Sequence, residues 1–446
     1  MKIGIVGAGI TGLTAAYELG KQGHRVVLFE AEPVAGGLSS GFVVPGWEWI
    51  PDRFYRHIFG GDRQIIALAR ELRVPLRFTR PKTSLWVNGA PYVYDNPLAV
   101  ARYPNLPLWL NLRAGIVIAY LRYLVRNGER LEHTTAHRWL KRALGERAYR
   151  ELWEPMLRGK FKGEFDRVNM AWFWARIVAR TPQLGYFEGG FQVFIDRLTG
   201  AVRARGGLVR LGCPVIQIAP VNGGSWMLIS GDGRGETFDR VLTTTSPQGL
   251  LKLVVGLPET VRQDVARFKS TGAVVLILAL KHSILTDGTY WLNLPEGEFP
   301  CLSMVEHTNY QDKAHYGGDV IVYLGDYLPV DAPQMSMSTD ELYACYRPAL
   351  VKVRPEFEDS WVRAKWVFRE AYAQPVPEVG HSRRIPRAEV PILPNLYWAC
   401  LHHVYPWDRG TNFAVELGQR VAAAMSRPVA VEAGKSLAEM RRLTGR

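Results

Sequence analysis

The sequence predicts an α/β fold of two domains. A parallel-sheet domain is assembled from separated stretches of chain, and an α+β domain, an antiparallel sheet beneath a helical cap, is inserted between them. Three observations carry this expectation. A strand–glycine turn–helix–strand unit opens the chain at 2–42, a strand–loop–helix unit closes it at 395–425, and a long apolar run at 271–281 follows an aromatic, helix-rich region between them.

In the opening unit, Ile3, Ile5 and Val6 form an apolar run too brief for a helix and suited to a buried parallel strand. Gly7, Gly9 and Gly12 follow at G-x-G-x-x-G spacing, residues 13–19 read as a helix ended by Gly20 and Gly23, and residues 26–29 form a second buried strand that delivers Glu30. Each part suits a dinucleotide. Gly7 permits the tight turn, Gly9 lets the backbone approach a pyrophosphate, and Gly12 lets helix and strand pack closely. The helix N-terminus, with Ile10 and Thr11, offers free N–H groups and a partial positive charge. Glu30 lies 23 positions past Gly7, with Ala31 behind it, where a carboxylate binds the ribose hydroxyls of an adenosine and disfavours a 2′-phosphate.

Gly36, Gly37 and Leu38 make a second close backbone approach just past that acid. On these residues the sequence resembles the glutathione-reductase-type flavoproteins. More narrowly it is similar to the branch holding flavin amine oxidases, protoporphyrinogen oxidase, phytoene desaturases and UDP-galactopyranose mutase. The resemblance implies FAD and not NAD, held by a Rossmann-like FAD-binding domain formed from segments 1–75, 187–256 and 388–446. Segments 76–186 (cap) and 257–387 (sheet) would then form the inserted substrate domain.

At 446 residues the chain is long enough for two full cores, and 47% hydrophobic with 22% charged residues is the composition of a soluble globular protein. A structural strand starting at residue 2 leaves no signal peptide, so a cytoplasmic location is expected. Cys213, Cys301, Cys345 and Cys400 lack C-x-x-C spacing, which fits reduced thiols better than disulfides or a metal site. The net charge of +13 points to a solvated arginine-rich surface or to anionic partners. No nucleic-acid module motif is present, so that partner is set aside, while a membrane-lipid surface and an acidic substrate stay open.

Residues 43–57 are aromatic and lack helical periodicity. In the resembled families this stretch passes beside the isoalloxazine ring, which makes Trp47, Trp49, Arg53, Tyr55, Arg56 and His57 neighbours of flavin or substrate. The run Arg56-His57-Ile58-Phe59 is similar to the G-x-H-x-F run of the mutase, with Arg56 where proline is usual. His57 is the favoured catalytic residue with Arg56 beside it, and Tyr55 is assigned to the substrate.

Residues 62–72 read as an amphipathic helix, and a hairpin turns at Asn88-Gly89. In 108–125, Arg113 and Arg122 argue against a membrane span; a helix packed on the cap is favoured over one lying shallowly in a membrane interface. Thr134 and Thr135 start a helix that Glu154-Pro155 interrupts. The following WEPMLRGKF resembles a protoporphyrinogen-oxidase-like pattern, and Arg158, Lys160, Lys162 and Arg167 form a basic patch suited to a carboxylate or diphosphate. Residues 169–180 read as an aromatic helix with Trp172 and Trp174 in the core.

Gly189-Gly190 and a helix at 192–205 lead back to the nucleotide domain, and strands are expected at 226–229 and 237–242. Val215 sits where the resemblance places a backbone partner for adenine. The run 271–281 begins a sheet continued by 291–294, 301–305, 320–325 and 361–367, with a helix at 339–350. Last come a strand at 395–399, a loop and a helix at 413–425, whose N-terminus is an anion site. The resemblance aims it at the flavin, with Gly410, Thr411 and Asn412 as N–H donors and Arg409 reaching the pyrophosphate or the ring. Cys400-Leu401 stands where the families usually have a glycine–acid pair.

The expected activity is FAD-dependent oxidation of a hydrophobic or anionic small molecule, with hydride passing from a C–H or C–N bond to flavin N5. Without a second G-x-G-x-x-G unit, the electron acceptor would be oxygen, a quinone or a carrier protein. The alternatives are a mutase-type isomerase working with reduced flavin on a sugar nucleotide, and a non-catalytic FAD-binding protein.

Overall fold

The computed structural model describes residues 1–94 and 97–427. The first sheet has five strands in the order Leu396–Trp398, Arg240–Thr243, Lys2–Val6, Arg25–Phe29 and Leu208–Arg210, all parallel. Ile5 pairs with Leu28 on one side and Leu242 on the other, so the opening strand is central and buried on both faces. That burial is why its residues read as a continuous apolar run. Helices Ile10–Lys21, Phe191–Ala204 and Thr411–Met425 cover one face through a core that includes Leu13, Leu28, Leu198 and Val421. A three-stranded meander, Val215–Pro220, Trp226–Ser230 and Gly235–Phe238, covers the other through Val27, Phe29, Leu228 and Phe238.

The second large sheet has seven strands in the order Val362–Pro375, Ser270–Leu280, Val320–Leu328, Ser303–Glu306, Thr289–Asn293, Lys82–Val87 and Ala90–Val93. Its pairings are antiparallel except Thr289–Asn293 with Lys82–Val87. Helix Thr339–Val353 seals one face over Leu276, Leu292 and Val322. The opposite face carries Ile277, Tyr290, Val305 and Tyr323 and meets Phe54 and Tyr55 from the segment expected beside the flavin. Helices Leu108–Ala119, Ala136–Leu144, Glu154–Phe161 and Met170–Ala179 enclose a third core around Leu140, Tyr149, Phe161 and Phe173.

The mixed α/β architecture is the expected one. Three details differ. The run 237–242 is two strands in different sheets, because Asp239 stops at the opening strand, where its Oδ2 accepts the Lys2 N–H at 2.7 Å and its own N–H donates to the Lys2 carbonyl. The strand expected at 361–367 runs on to Pro375, held by its long pairing with Ser270–Leu280. The helix expected over 108–125 widens into a π turn at Tyr120–Leu124. Residues 428–446 of the last expected segment lie outside the described residues. Among the described residues no helix is long and apolar enough to cross a membrane.

Candidate active site

The two glycine turns lie against each other. Gly7 has φ 104° and its N–H donates to the Phe29 carbonyl at 2.8 Å, which sets the sharp turn off the first strand. Gly36 has φ 125°, donates to the Ala8 carbonyl at 2.8 Å and bridges in parallel to Gly9. A side chain at Gly12 would overlap the Gly7 carbonyl, whereas one at Gly9 would meet nothing within 4 Å. The open space at Gly9 is therefore left for something other than protein. The helix that begins at Ile10 has no side-chain cap, the condition under which first-turn N–H groups stay available to a bound group. Glu30 follows the second strand; its Oε2 accepts the Ala8 N–H at 2.7 Å and its Oε1 the Glu32 N–H at 3.0 Å. Ala31 is exposed next to it, and Leu38 is half-buried past the second turn.

The final helix also starts without a side-chain cap, at Gly410. It lies on the first helix so closely that the Thr11 hydroxyl donates to the Ala414 carbonyl at 3.2 Å, and a side chain at Gly418 would press on the Thr11 carbonyl. Two uncapped helix N-termini thus belong to one packed pair. This donor-rich, glycine-lined arrangement fits an elongated dinucleotide.

Several assigned residues have protein partners that the sequence does not indicate. Asn412 uses its side chain to cap the helix Arg63–Glu71, its Oδ1 accepting the N–H groups of Gln64 at 2.9 Å and Ile65 at 3.2 Å. Arg409 donates to the Tyr327 hydroxyl and lies over that ring, at strand Val320–Leu328 of the seven-stranded sheet. The expected basic patch does not converge. Arg158 pairs with Glu154 and lies over Phe165, Lys162 pairs with Glu296 and Asp326, and Arg167 pairs with Glu164 and Glu378. Each cation finds an acid that is remote or unremarkable in the sequence. Val215 is buried at the start of the meander, paired with Ser230.

The segment after the glycine turns lies between the two sheets. Arg56 donates to Ser39 Oγ at 2.7 Å and to the Leu38 carbonyl, lies over the Phe191 ring, and leaves its buried Nε without a partner. The Tyr55 hydroxyl and Ser303 Oγ are 2.7 Å apart. His57 packs edge-on to Phe59, Tyr290 and Trp291, with Nδ1 buried and unpartnered. Burial, helped by Arg180 and Arg176, pushes its imidazole down to about 3, so the ring is neutral.

A cluster of charged groups that the sequence does not announce is built around Asp408. Its Oδ2 accepts from Lys160 Nζ at 2.7 Å and Arg176 Nη1 at 2.9 Å, and its Oδ1 from Trp172 Nε1 at 3.3 Å and the Arg409 N–H at 3.0 Å. The ammonium of Lys160 lies between the Trp172 and Tyr327 rings. Despite burial, the surrounding cations hold the Asp408 carboxyl well below the usual range, while burial draws the Lys160 ammonium below the ordinary lysine range. Arg180 completes the group. It is exposed at the end of the helix Met170–Ala179; its carbonyl accepts from Arg122, and its side chain makes no hydrogen bond or ion pair among the described residues. Lys160 and Arg176 therefore pair with one carboxylate, and Arg180 and Arg409 add positive charge nearby. Sequence reading assigned only Lys160 and Arg409 of this set. Trp172, Arg176 and Arg180 follow one another at four-residue spacing, a helical stripe that could have revealed them. Asp408, beside Arg409, has no acid or base pattern around it in the sequence that marks its role.

Fold and site together define a dinucleotide-binding flavoprotein. Residues 10–426 match the family model described as flavin-containing amine oxidoreductase, and the chain belongs to that family, whose members carry FAD. A candidate protoporphyrinogen oxidase from Exiguobacterium sp. 255-15 superposes with a TM-score of 0.75 at 18% identity, covering 96% of this chain and 99% of that one. Putrescine oxidase bound to putrescine (TM-score 0.74, 16% identity, 96% and 100% covered) and reduced UDP-galactopyranose mutase (0.74, 16%, 96% and 98%) share the fold. Among curated relatives, a candidate flavin-containing monoamine oxidase of Mycobacterium tuberculosis is 27% identical over 271 residues, 57% of this chain and 56% of its own length. The chain spans between 8% and 56% of the length of the curated relatives it matches.

Proposed function

We propose that this protein is an FAD-dependent oxidoreductase acting on a small molecule that carries an anionic group. Gly7, Gly9, Ile10, Thr11 and Gly12 would hold the dinucleotide, with Glu30 and Ala31 for its ribose and Gly36, Gly37 and Leu38 for the pyrophosphate. The backbone of Val215 would serve the adenine, and the N–H groups of Gly410, Thr411 and Asn412 would serve the flavin. Bound FAD supplies the acceptor for a hydride equivalent. The chain supplies the rest.

The observation that carries this reading is the excess of cations near Asp408, where cap, sheet and final loop meet, with Arg180 exposed at its edge. Arg180, with no acid of its own, receives the anionic end of the substrate, and Arg176 adds a second donor once that group arrives. Tyr55 and Trp291 line the apolar side. His57, held neutral by burial, packs edge-on to Trp291 on this side and would position the substrate, its imidazole being too weakly basic to take the proton itself. Anaerobic titration of the purified holoprotein tests this: an anionic substrate bleaches the oxidised flavin spectrum without added reductant, and no bleaching across amines, porphyrinogens and acidic amphiphiles refutes it.

The same cation cluster favours one second reading, an isomerase on a sugar nucleotide, whose diphosphate the arginines would hold. In that case flavin must be reduced first, and turnover consumes no further reductant.

A further inference from the structure

The helix Leu108–Ala119 and the turn Tyr120–Leu124 present an apolar face that nothing in the fold covers. Leu108, Leu112, Ile116, Tyr120 and Leu124 follow at four-residue spacing, and with Trp109 and Tyr123 they are between 45% and 73% exposed. Of the sixteen large hydrophobic side chains exposed among the described residues, eight lie in 98–124, and the other eight are scattered through the remainder of the chain. Scattered singles are ordinary; a contiguous stripe is not.

The opposite face of this helix is firmly placed. Leu110, Ala114 and Leu121 enter the cap core, and Arg113 donates to the Ala143 carbonyl at 2.7 Å. Arg122 donates to the Ile177 and Arg180 carbonyls at 2.9 and 3.1 Å, and Trp174 Nε1 to the Val125 carbonyl at 3.0 Å. The apolar stripe is therefore fastened to the end of the helix that carries Arg176 and Arg180.

Charge indicates what covers it. Over 98–131 the chain has five arginines, Arg102, Arg113, Arg122, Arg126 and Arg130, and a single acid, Glu129. Arg102, Arg113, Arg126 and Arg130 are exposed. A symmetric contact between two copies would bring like-charged rims together. An anionic lipid surface accepts both the apolar stripe and its cationic rim, and Trp and Tyr side chains suit the headgroup level. We propose that this face docks the protein on an anionic bilayer, with the helix lying in the interface. Seventeen residues of helix reach about 25 Å, short of a span in any case.

The test is co-sedimentation of the holoprotein with vesicles of phosphatidylcholine plus phosphatidylglycerol, against phosphatidylcholine alone, alongside light scattering in solution. The protein should pellet with the anionic vesicles. Leu112→Glu with Ile116→Glu should lower the bound fraction about tenfold while leaving flavin absorbance intact, and Arg126→Glu with Arg130→Glu should remove the preference for phosphatidylglycerol. Wild-type protein that stays in the supernatant overturns the proposal, as do apolar-face variants that bind unchanged. A dimer that Leu112→Glu with Ile116→Glu splits, without vesicle binding, assigns the face to a second copy and overturns it too.

Discussion

Gly12 has no room for a methyl group: a Cβ there would overlap the carbonyl oxygen of Gly7, a backbone atom that cannot rotate away. Gly12→Val should therefore yield protein with little flavin, read as the ratio of flavin to protein absorbance after purification. Asp52 illustrates a different constraint. It is buried with one oxygen on the Tyr186 hydroxyl at 2.8 Å and the other unpartnered, and burial pushes its carboxyl up to about 7. The folded protein keeps this proton at pH values where the unfolded chain, with a carboxyl near ~4, has lost it. Stability attributable to Asp52 thus falls as pH rises from about 4 to about 7 and levels off above that. Asp52→Asn should flatten that part of the curve, measured as the difference in Tm between wild type and variant from acid to neutral pH. The acid stands in Ile50-Pro51-Asp52-Arg53, where neighbouring aromatic and basic residues drew attention away from it.

At the scale of elements, the final helix does two jobs at its first turn. Its N–H groups stay free, and the Asn412 side chain closes the N-terminus of Arg63–Glu71, whose own leading residue Asp62 makes no side-chain cap. Asn412→Ala should cost about 1–2 kcal/mol, seen as a lower urea midpoint with an unchanged slope. The sequence shows a helix start with polar residues at its head, and it carries no signal of what the Asn412 side chain caps. The acceptor's donors lie nearly 350 positions earlier, and no local pattern encodes that meeting. The elements themselves were far more legible. The opening βαβ unit, the hairpin at Asn88-Gly89, the cap helix beginning after Thr135 and the strand Ser270–Leu280 all declare themselves through periodicity, turn residues and caps that act within a few residues.

Across the whole molecule, one carboxylate ties three parts together: Lys160 and Arg176 from the cap, Arg409 with Tyr327 of the central sheet, and Asp408 itself from the loop before the last helix. Asp408→Asn would leave buried cations without their shared counter-charge and should lower stability by about 3 kcal/mol. Because the carboxyl is held below its ordinary range, the stability it contributes is present at neutral pH and is lost as pH falls through the acid range, so the variant and wild type should converge in acid. Chemical denaturation at two pH values checks both statements. The first forty residues by themselves determined the fold class and the dinucleotide cradle, since glycines, strand and helix act on near neighbours and leave a readable spacing. Which cations face an acid and which apolar stripe stays uncovered were decided only by tertiary structure. Charge pairing and burial depend on distances between residues far apart in the chain, and those distances exist only once the chain has folded.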